Sequence, residues 1–388
     1  MPQAPGLYLH LPFCSAICPY CDFAVQLGSA QRKRRFVDSL IREMELWAEG
    51  AGAFAGIDTI YFGGGTPSAH SPEEIAILLD AARRLLPLVD RPRILFEANP
   101  EDVTPESVRA WRELGVDFLS LGVQAFDDPS LRFLGRRHRE AEARRGVEIA
   151  LGAGFSTVSL DLIYGLPGRT PEGWEETLET AISLKPQHLS CYQLTFHEGT
   201  PFGRALDQGK LFELPEDAQG DLFEITHVTL ASAGLPGYEI SNFASSPAHR
   251  SPHNPKYWDH TPYLGLGPSA HSFDGRRRWW NERKLGAWEA KLATGEKPVE
   301  GSEELTPADL ALETLMLGLR TVEGVDLDRF RSRFGYDLLQ RNEPLVERLA
   351  ETGLLSVSGA GEQPALVPTL AGWGVADSLA RSFHLVKP

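Results

Sequence analysis

The chain has 388 residues, with 53 acidic and 38 basic side chains and a formal net charge of −15. This balance argues against a nucleic-acid partner, because phosphate contacts need clustered Lys and Arg. The length predicts one large domain and a smaller one. No apolar run approaches the ~20 residues that a membrane helix needs, and residues 1–13 lack the basic and apolar regions of a secretory signal. We therefore expect a cytoplasmic protein.

Short apolar runs alternate with helical patterns over the first half of the chain. The predicted strands cover residues 7–11, 59–62, 94–98, 118–123, 157–163 and 188–194. Runs that are apolar throughout are typical of parallel strands buried on both faces. Helix starts of the cap-then-proline kind lie between them, as at Ser71-Pro72 and Thr104-Pro105. Six strand–helix units predict an α/β fold. Since a closed barrel needs eight such units, we expect a partial (β/α)6 barrel.

The rest of the chain has two different patterns. We predict a barrel domain over residues 1–245, followed over residues 246–300 by an irregular, aromatic-rich segment that packs on the barrel. This segment contains the motif His253-Asn254-x-x-Tyr257-Trp258. Residues 301–388 return to a helical pattern that ends in a small hairpin and a last helix, which predicts a mainly helical C-terminal domain similar to a winged helix.

Three of the four cysteines lie within eight consecutive residues, as Cys14-x-x-x-Cys18-x-x-Cys21. A structural zinc site needs four ligands, and only His10 is near enough in the chain to complete one. Unrelated buried thiols would be scattered. Thiolates hold iron–sulfur clusters, and three of them would leave one iron of a four-iron cluster open. The fourth cysteine, Cys191, lies in the sixth predicted strand and is expected to be a small buried side chain.

Polar residues and glycines follow the predicted strands directly. Ligand sites of parallel α/β proteins lie at the carboxyl ends of their strands, so we expect these residues to converge on one site. Each could instead make a structural hydrogen bond at a strand end. The residues concerned are Gly63 to Thr66 after the second strand, Glu97 and Asn99 at the end of the third, Gln124 at the end of the fourth and Asp161 near the end of the fifth.

The cysteine spacing, with Tyr20 just before the last cysteine, resembles the hallmark of the radical SAM superfamily. This resemblance implies a [4Fe–4S] cluster on Cys14, Cys18 and Cys21, with S-adenosylmethionine (SAM) at the iron that they leave open. In this superfamily a reduced cluster cleaves SAM to methionine and a 5′-deoxyadenosyl radical. The cofactors carry that chemistry, and the protein positions them.

Longer segments are similar to the oxygen-independent coproporphyrinogen III oxidase group, over nearly the whole chain. These segments are residues 8–14, 63–67, 119–124, 161–167 and 238–242. In that group the equivalent positions contact SAM, which implies a SAM site made of Tyr8, Tyr20, Gly64, Gly65, Thr66, Glu97, Gln124, Arg136 and Asp161.

Two features depart from the oxidase pattern. Phe23 stands where the oxidase motif has a further cysteine, and 13 residues precede Cys14 where the oxidase has a long extension. Both features, together with the motif at 253–258, are similar to the family of the haem chaperone HemW. This resemblance implies haem as a bound cargo that is passed to acceptor proteins such as membrane respiratory enzymes, without coproporphyrinogen oxidase activity. It also implies His253 as a haem ligand.

Two hypotheses therefore follow from the sequence. The favoured one is a haem chaperone that carries a cluster and SAM. The alternative is an oxygen-independent coproporphyrinogen III dehydrogenase, which removes two propionate carboxyl groups by hydrogen abstraction. The SAM site fits both. For His253 alone, the alternative to haem ligation is a buried histidine in an aromatic cluster.

Overall fold

The computed structural model describes residues 3–358 and 364–385. Its strands in chain order are β1 (Gly6–Leu11), β2 (Phe13–Cys14), β3 (Gln26–Leu27), β4 (Ile57–Gly64), β5 (Leu88–Ala98), β6 (Val116–Gln124), β7 (Thr157–Tyr164), β8 (His188–Gln193), β9 (Asn242–Ala244), β10 (Tyr263–Leu266), β11 (His271–Phe273), β12 (Arg277–Asn281), β13 (Val299–Glu304), β14 (Val325–Asp326), β15 (Leu355–Val357) and β16 (Ala365–Pro368).

The α-helices are α1 (Ala30–Ala48), α2 (Pro72–Leu85), α3 (Pro105–Glu113), α4 (Asp128–Phe133), α5 (Glu140–Gly152), α6 (Pro171–Ser183), α7 (Pro201–Asp207), α8 (Glu216–Ser232), α9 (Pro255–Trp258), α10 (Leu285–Ala293), α11 (Pro307–Gly318), α12 (Leu327–Phe334), α13 (Leu338–Glu351), α14 (Leu370–Gly374) and α15 (Ala376–Ser382). None of the described helices is both long enough and apolar enough to cross a bilayer.

The main sheet has the order β13-β12-β11-β10-β1-β4-β5-β6-β7-β8-β9. The six strands predicted from the sequence are β1, β4, β5, β6, β7 and β8, and they pair in parallel in that order. The predicted partial barrel is therefore confirmed. The structure adds β10 as a further parallel strand on the other side of β1. The sheet ends in antiparallel pairs at both edges.

The local sequence explains why these strands and helices form. Leu7, Leu9 and Leu11 of β1 are fully buried, and helices cover the sheet with apolar faces such as that of α1. The Ser71 hydroxyl accepts a hydrogen bond from Glu74 N, and the Glu74 carboxylate accepts one from Ser71 N, which starts α2. These strands are buried on both faces and run parallel, so their carboxyl ends lie on the same side of the sheet.

Residues 246–304 are more regular than the sequence indicates, because β10 to β13 extend the barrel sheet there. A buried carboxylate, Glu43 of α1, ties this part to the barrel. It accepts hydrogen bonds from Gly267 N at 2.7 Å and Trp288 Nε1 at 3.0 Å. Asn281 Nδ2 donates a third, at 2.6 Å. The domain boundaries at 245 and 300 stay a prediction.

The C-terminal part has its own hydrophobic core, formed by α11 to α13, α15 and the small sheet β14-β16-β15. Two backbone hydrogen bonds join it to the barrel domain, from Ile240 N to Arg320 O at 3.0 Å and from Val322 N to Tyr238 O at 3.1 Å. The two parts therefore meet along a short strand-like contact between residues 238–240 and 320–322.

Candidate cluster and nucleotide site

A cavity of about 460 Å³ opens at the carboxyl ends of the parallel strands. This is where a parallel α/β sheet gathers its ligand-binding residues. The predicted site residues that line it are Cys14, Cys18, Cys21, Tyr20, Gly64, Gly65, Thr66, Glu97, Gln124, Arg136 and Asp161. Tyr8 and His253 do not line it.

The three thiols lie on the segment that follows β1. Cys14 belongs to the short strand β2, and the turn that carries the other two is closed by a hydrogen bond from Cys21 N to Cys18 O. Burial raises the pKa of Cys14, and it raises the pKa of Cys21 to about 11. Arg136 Nη1 donates to Cys18 Sγ at 3.4 Å. Coordination to a metal would supply the positive charge that favours the thiolates of Cys14 and Cys21 in spite of their burial.

The arrangement fits an iron–sulfur cluster better than zinc. Within residues 3–358 and 364–385, no three His, Cys, Asp or Glu side chains converge closely enough to hold a single metal ion. A four-iron cluster does not require such convergence, because each thiolate binds a different iron. His10 is not available as a fourth zinc ligand, since its Nε2 donates to Ala24 O and its Nδ1 accepts from Tyr8 Oη.

Arg136 links the cysteine loop to the strand ends. Its Nη2 donates to Gly122 O at 2.9 Å and to Asn99 Oδ1, and Asn99 Nδ2 donates to Thr66 Oγ1 at 3.4 Å. Arg136 Nε is buried and has no hydrogen-bond partner among the described residues. A guanidinium held in this way can donate to a carboxylate in the cavity, such as that of a methionine group.

Two buried carboxyl groups face the same cavity. Burial, together with the negative charge of Asp161, raises the pKa of Glu97 to about 7, although Tyr61 Oη donates to Glu97 Oε1 at 2.7 Å. Burial also raises the pKa of Asp161 to about 6, against hydrogen bonds from Ser190 and Ser120. A ligand that brings an ammonium group or hydroxyl donors would stabilise both carboxylates.

The turn after β4 requires its glycines. Gly64 has a φ of +104°, and a Cβ on Gly65 would lie 2.7 Å from Leu11 O and 2.8 Å from Pro12 C. Gln124 ends β6 with a φ of +69°, a left-handed conformation that is uncommon for this residue type. Such conformations persist where the surrounding structure imposes them, frequently at ligand sites.

Two of the predicted residues do not line this cavity, and their roles stay predictions. Tyr8 is in β1 and lines a neighbouring cavity of about 320 Å³. His253 is fully buried, with Nδ1 hydrogen-bonded to Thr59 Oγ1 and Nε2 to Tyr257 Oη, both at 2.9 Å. Burial lowers its pKa to about 3. Haem ligation by His253 stays a prediction, and it would require one of these two bonds to break.

The sequence argument missed two residues that orient Asp161. Ser120 Oγ donates to Asp161 at 3.0 Å, and Ser190 lies beside it on β8. Both serines interrupt apolar strand runs, and a hydroxyl inside a strand buried on both faces is a usable signal, because a buried polar group needs a partner.

The comparisons with known proteins agree with this fold. The model of the radical SAM superfamily matches residues 8–181, and that of the HemN C-terminal domain matches residues 305–373. Among solved structures, coproporphyrinogen III oxidase (HemN) from Escherichia coli matches with a TM-score of 0.79 and 22% identity, over 98% of this chain and 90% of that one. An open α/β barrel with this cysteine loop at its strand ends is characteristic of a radical SAM protein, and the superfamily implies a [4Fe–4S] cluster and SAM.

Relatives define the family more closely. Heme chaperone HemW of Bacillus subtilis (strain 168) is 35% identical over 349 residues, which are 90% of this chain and 92% of that protein. Heme chaperone HemW of Escherichia coli (strain K12) is 36% identical over 310 residues, 77% of this chain and 79% of that protein. The mouse protein "Radical S-adenosyl methionine domain-containing protein 1, mitochondrial" is 32% identical over 328 residues, 82% and 74% of the two chains. The chain belongs to the HemW family.

Proposed function

We propose that this protein is a haem chaperone, which binds haem and delivers it to haem-requiring acceptor proteins. The observation that carries the proposal is the similarity to relatives named heme chaperone over nine tenths of both chains, at 35% identity. The similarity extends through the C-terminal part as well as the barrel, so it is not limited to the shared cofactor-binding domain. In this proposal the protein works in the cytoplasm.

The cofactor assignment belongs to the same proposal. Cys14, Cys18 and Cys21 hold the [4Fe–4S] cluster, and the remaining site residues that line the cavity hold SAM. When bound, the cluster and SAM together supply one-electron chemistry. Arg136 orients the ligand carboxylate and also donates to Cys18 Sγ, so that it links the ligand to the cysteine loop. Glu97 and Asp161 accept hydrogen bonds from the amino and hydroxyl groups, and the surrounding strand ends exclude water.

The test is haem transfer by cluster-loaded protein under anaerobic conditions. Haem is titrated into the protein and followed by absorption, the complex is separated from free haem, and an apo-acceptor is added. We expect a saturable haem complex and an acceptor spectrum that develops faster than with free haem at the same concentration. Protein that binds no haem, or that keeps it in the presence of the acceptor, would contradict the proposal.

The alternative function is coproporphyrinogen III dehydrogenation, which the similarity in fold to HemN keeps open. It would use the same cluster and SAM site. The assay is anaerobic incubation of the cluster-loaded protein with SAM, a reductant and coproporphyrinogen III. We expect no protoporphyrinogen, because Phe23 stands where the oxidase pattern has a cysteine. Turnover of this substrate would favour the enzyme.

His253 is proposed as a ligand of the haem iron. Since its Nε2 is hydrogen-bonded to Tyr257 Oη, haem binding by this residue requires Tyr257 to move. His253→Ala should then change the haem spectrum and weaken binding, and Tyr257→Phe should strengthen binding by freeing Nε2. An unchanged spectrum in His253→Ala would leave the residue with a structural role only.

A further inference from the structure

His138 is a buried histidine that joins segments around the nucleotide cavity, the cavity of about 460 Å³ at the strand ends. It is 2% exposed. Its Nε2 lies 3.1 Å from Val123 O, which also accepts from Ala125 N, and its Nδ1 lies 3.0 Å from Glu101 Oε2 in the turn after β5. Neither His138 nor Glu101 is among the described residues that line the cavity. This histidine can therefore act on a ligand only through its neighbours.

The loop that carries His138 binds two consecutive carbonyl groups at the end of β6. Arg136 Nη2 donates to Gly122 O at 2.9 Å, and His138 Nε2 donates to Val123 O. The pairing of β6 with β7 shifts register at this point, so the loop supplies donors where the sheet is irregular. These two hydrogen bonds anchor the loop to the sheet and fix the position of Arg136 at the edge of the cavity.

Both ring nitrogens of His138 face acceptors, which determines its charge. A backbone carbonyl can only accept, so Nε2 carries a proton. Nδ1 faces the carboxylate of Glu101. In spite of burial, the hydrogen bond from His138 lowers the pKa of Glu101, and the charge of Arg136 contributes, so Glu101 is ionised near neutral pH and also accepts. His138 therefore holds both ring protons and forms an ion pair with Glu101.

Glu101 also lies within the electrostatic reach of Arg136. The pKa of Arg136 is raised, against its burial, by Tyr20, Cys18 and Glu101. In the described part of the chain, Glu101 pairs with His138 and not with Arg136, and Arg136 Nε has no hydrogen-bond partner there. A carboxylate of the protein that turned to this guanidinium would occupy the donors that a ligand carboxylate needs.

The backbone of the turn that carries Glu101 is fixed by its surroundings. A Cβ on Gly146 would lie 2.8 Å from Pro100 O, so α5 packs directly against the turn. The neighbouring carboxylate, Asp102, accepts from Ser68 Oγ at 2.7 Å and is held on another side. Because the backbone is fixed, the hydrogen-bond partner of Glu101 decides where this side chain points.

We propose that His138 is a positioning residue for the carboxylate of SAM. In its doubly protonated form it holds Glu101 away from Arg136, so that the guanidinium remains free for the ligand. The inference rests on the proposed SAM site and names a residue outside the cavity on which the affinity for the ligand carboxylate depends. Arg136 makes the contact, and His138 acts through it.

The experiment measures the affinity of the cluster-loaded full chain for SAM and for decarboxylated SAM, which has no carboxylate. In His138→Asn we expect SAM to bind at least about tenfold more weakly, because the released Glu101 competes for Arg136. The affinity for decarboxylated SAM should change little. The double variant His138→Asn/Glu101→Gln should regain most of the affinity for SAM, because a neutral amide competes for a guanidinium far less than a carboxylate does.

Nitrogen NMR of protein with labelled histidine gives a second readout, near neutral pH. The unmodified chain should show a ring with both nitrogens protonated, and this ring should lose one proton in Glu101→Gln. The matched control is His260→Asn. His260 is also buried and hydrogen-bonded to a carboxylate, Glu313 at 3.1 Å, but it does not line the nucleotide cavity. Asparagine tolerates its φ of +60°, so this variant should bind both ligands normally.

Four outcomes would overturn the inference. The first is an unchanged affinity for SAM in His138→Asn, and the second is an equal loss for SAM and decarboxylated SAM. The third is a double variant that binds SAM as weakly as His138→Asn, which is the result that a merely structural histidine gives. The fourth is a singly protonated ring in the unmodified chain, which decides the matter even where His138→Asn takes up no cluster. Failure of the unmodified chain to bind SAM would instead contradict the proposed cofactor site.

Discussion

Glu97 and Asp161 are the two residues whose charge state is most sensitive to what occupies the nucleotide cavity. Both are buried, and burial raises the pKa of Glu97 to about 7 and that of Asp161 to about 6. The positive charge of Arg136 acts in the opposite direction on Asp161 and lowers its pKa. A ligand with an ammonium group and ribose hydroxyls favours the ionised forms and therefore lowers both pKa values.

We predict that SAM affinity rises with pH between about 5.5 and 7.5. SAM binds preferentially when Glu97 and Asp161 are ionised, so protons that these groups carry in the free protein are released on binding. The affinity for SAM therefore increases as the pH rises through the raised pKa values of the free protein. Calorimetry of the cluster-loaded protein in two buffers of different ionisation enthalpy measures the proton release. Asp161→Asn should reduce both the proton release and the pH slope, whereas Glu73→Gln, at an exposed helix start, should change neither. A slope unchanged in Asp161→Asn would contradict the assignment.

The cysteine assignment gives a second prediction at this scale. Cys18→Ala should lose the iron–sulfur absorption and the four-iron content after anaerobic reconstitution, because two thiolates do not retain the cluster. Cys191→Ala is the control, since this thiol is buried in β8 away from the three ligands and should keep a full cluster. Iron and sulfide analysis checks both. A full iron complement in Cys18→Ala would show that another residue is the ligand.

At the scale of elements, the turn after β4 supports the start of the cysteine loop. Gly65 N donates to Leu11 O at 2.8 Å, and Thr66 N donates to Phe13 O at 3.0 Å. The turn and the loop are therefore held together by their backbones, immediately before Cys14. This contact is possible because Gly65 has no side chain to separate the two segments.

Gly65→Ala should lower the free energy of unfolding by about 1–3 kcal/mol, as is usual when an added methyl group has no space. Because the displaced backbone is that of residues 11–13, we also expect slower cluster reconstitution and weaker SAM binding. Urea unfolding and iron content measure the two effects. Gly220→Ala in α8 is the control, since a Cβ there meets nothing within 4 Å and should be neutral or stabilising. Equal behaviour of the two variants would contradict this role of the turn.

The elements differ in how well the sequence predicts them. Five of the six central strands are predicted to within two residues at each end, because apolar runs and cap-then-proline signals bound them. The exception is β5, which begins at Leu88, six residues before the predicted start, because its first half is polar and exposed. The four-residue strand β10 is missed because its run is too short to have a period, and its place is decided by pairing with β1. In the site, strand-end residues such as Glu97 and Asp161 are predictable from topology. The hydrogen-bond partners of His253 cannot be predicted from the sequence. A histidine near aromatic residues is equally compatible with a haem ligand and with a buried side chain of the core.

Within the described residues, the two largest hydrophobic cores are that of the extended barrel sheet and that of the C-terminal part, and a smaller cluster surrounds Phe202. The two large cores meet through the short contact between residues 238–240 and 320–322, and through the packing of Trp373 of α14 against His227 of α8. A core built from roughly 80 residues rarely supplies more than about 3–5 kcal/mol. The smaller domain should therefore be the less stable one.

We predict two unfolding steps, with the C-terminal domain unfolding first. In hydrogen-exchange experiments, the backbone amides of α11 to α13 should lose their protection at a lower urea concentration than those of β1 and β4 to β8. The reason is that these strands belong to the larger core. SAM, whose proposed site lies in the barrel, should raise the urea concentration of the second step and leave that of the first unchanged. Coincident exchange of both regions at every urea concentration would indicate a single cooperative unit instead.

The position of β1 has a consequence for synthesis of the chain. This first strand lies between β4 and β10, so one of its edges stays open until residues 263–266 leave the ribosome. At the usual rates of 5–20 residues per second, translation of the intervening ~250 residues takes about 10–50 s. Throughout that time the growing polypeptide carries an unpaired β-edge beside its three thiols, a surface that can aggregate or oxidise. Protection of nascent chains by chaperones should therefore matter more for this protein than for barrels whose strands pair in chain order.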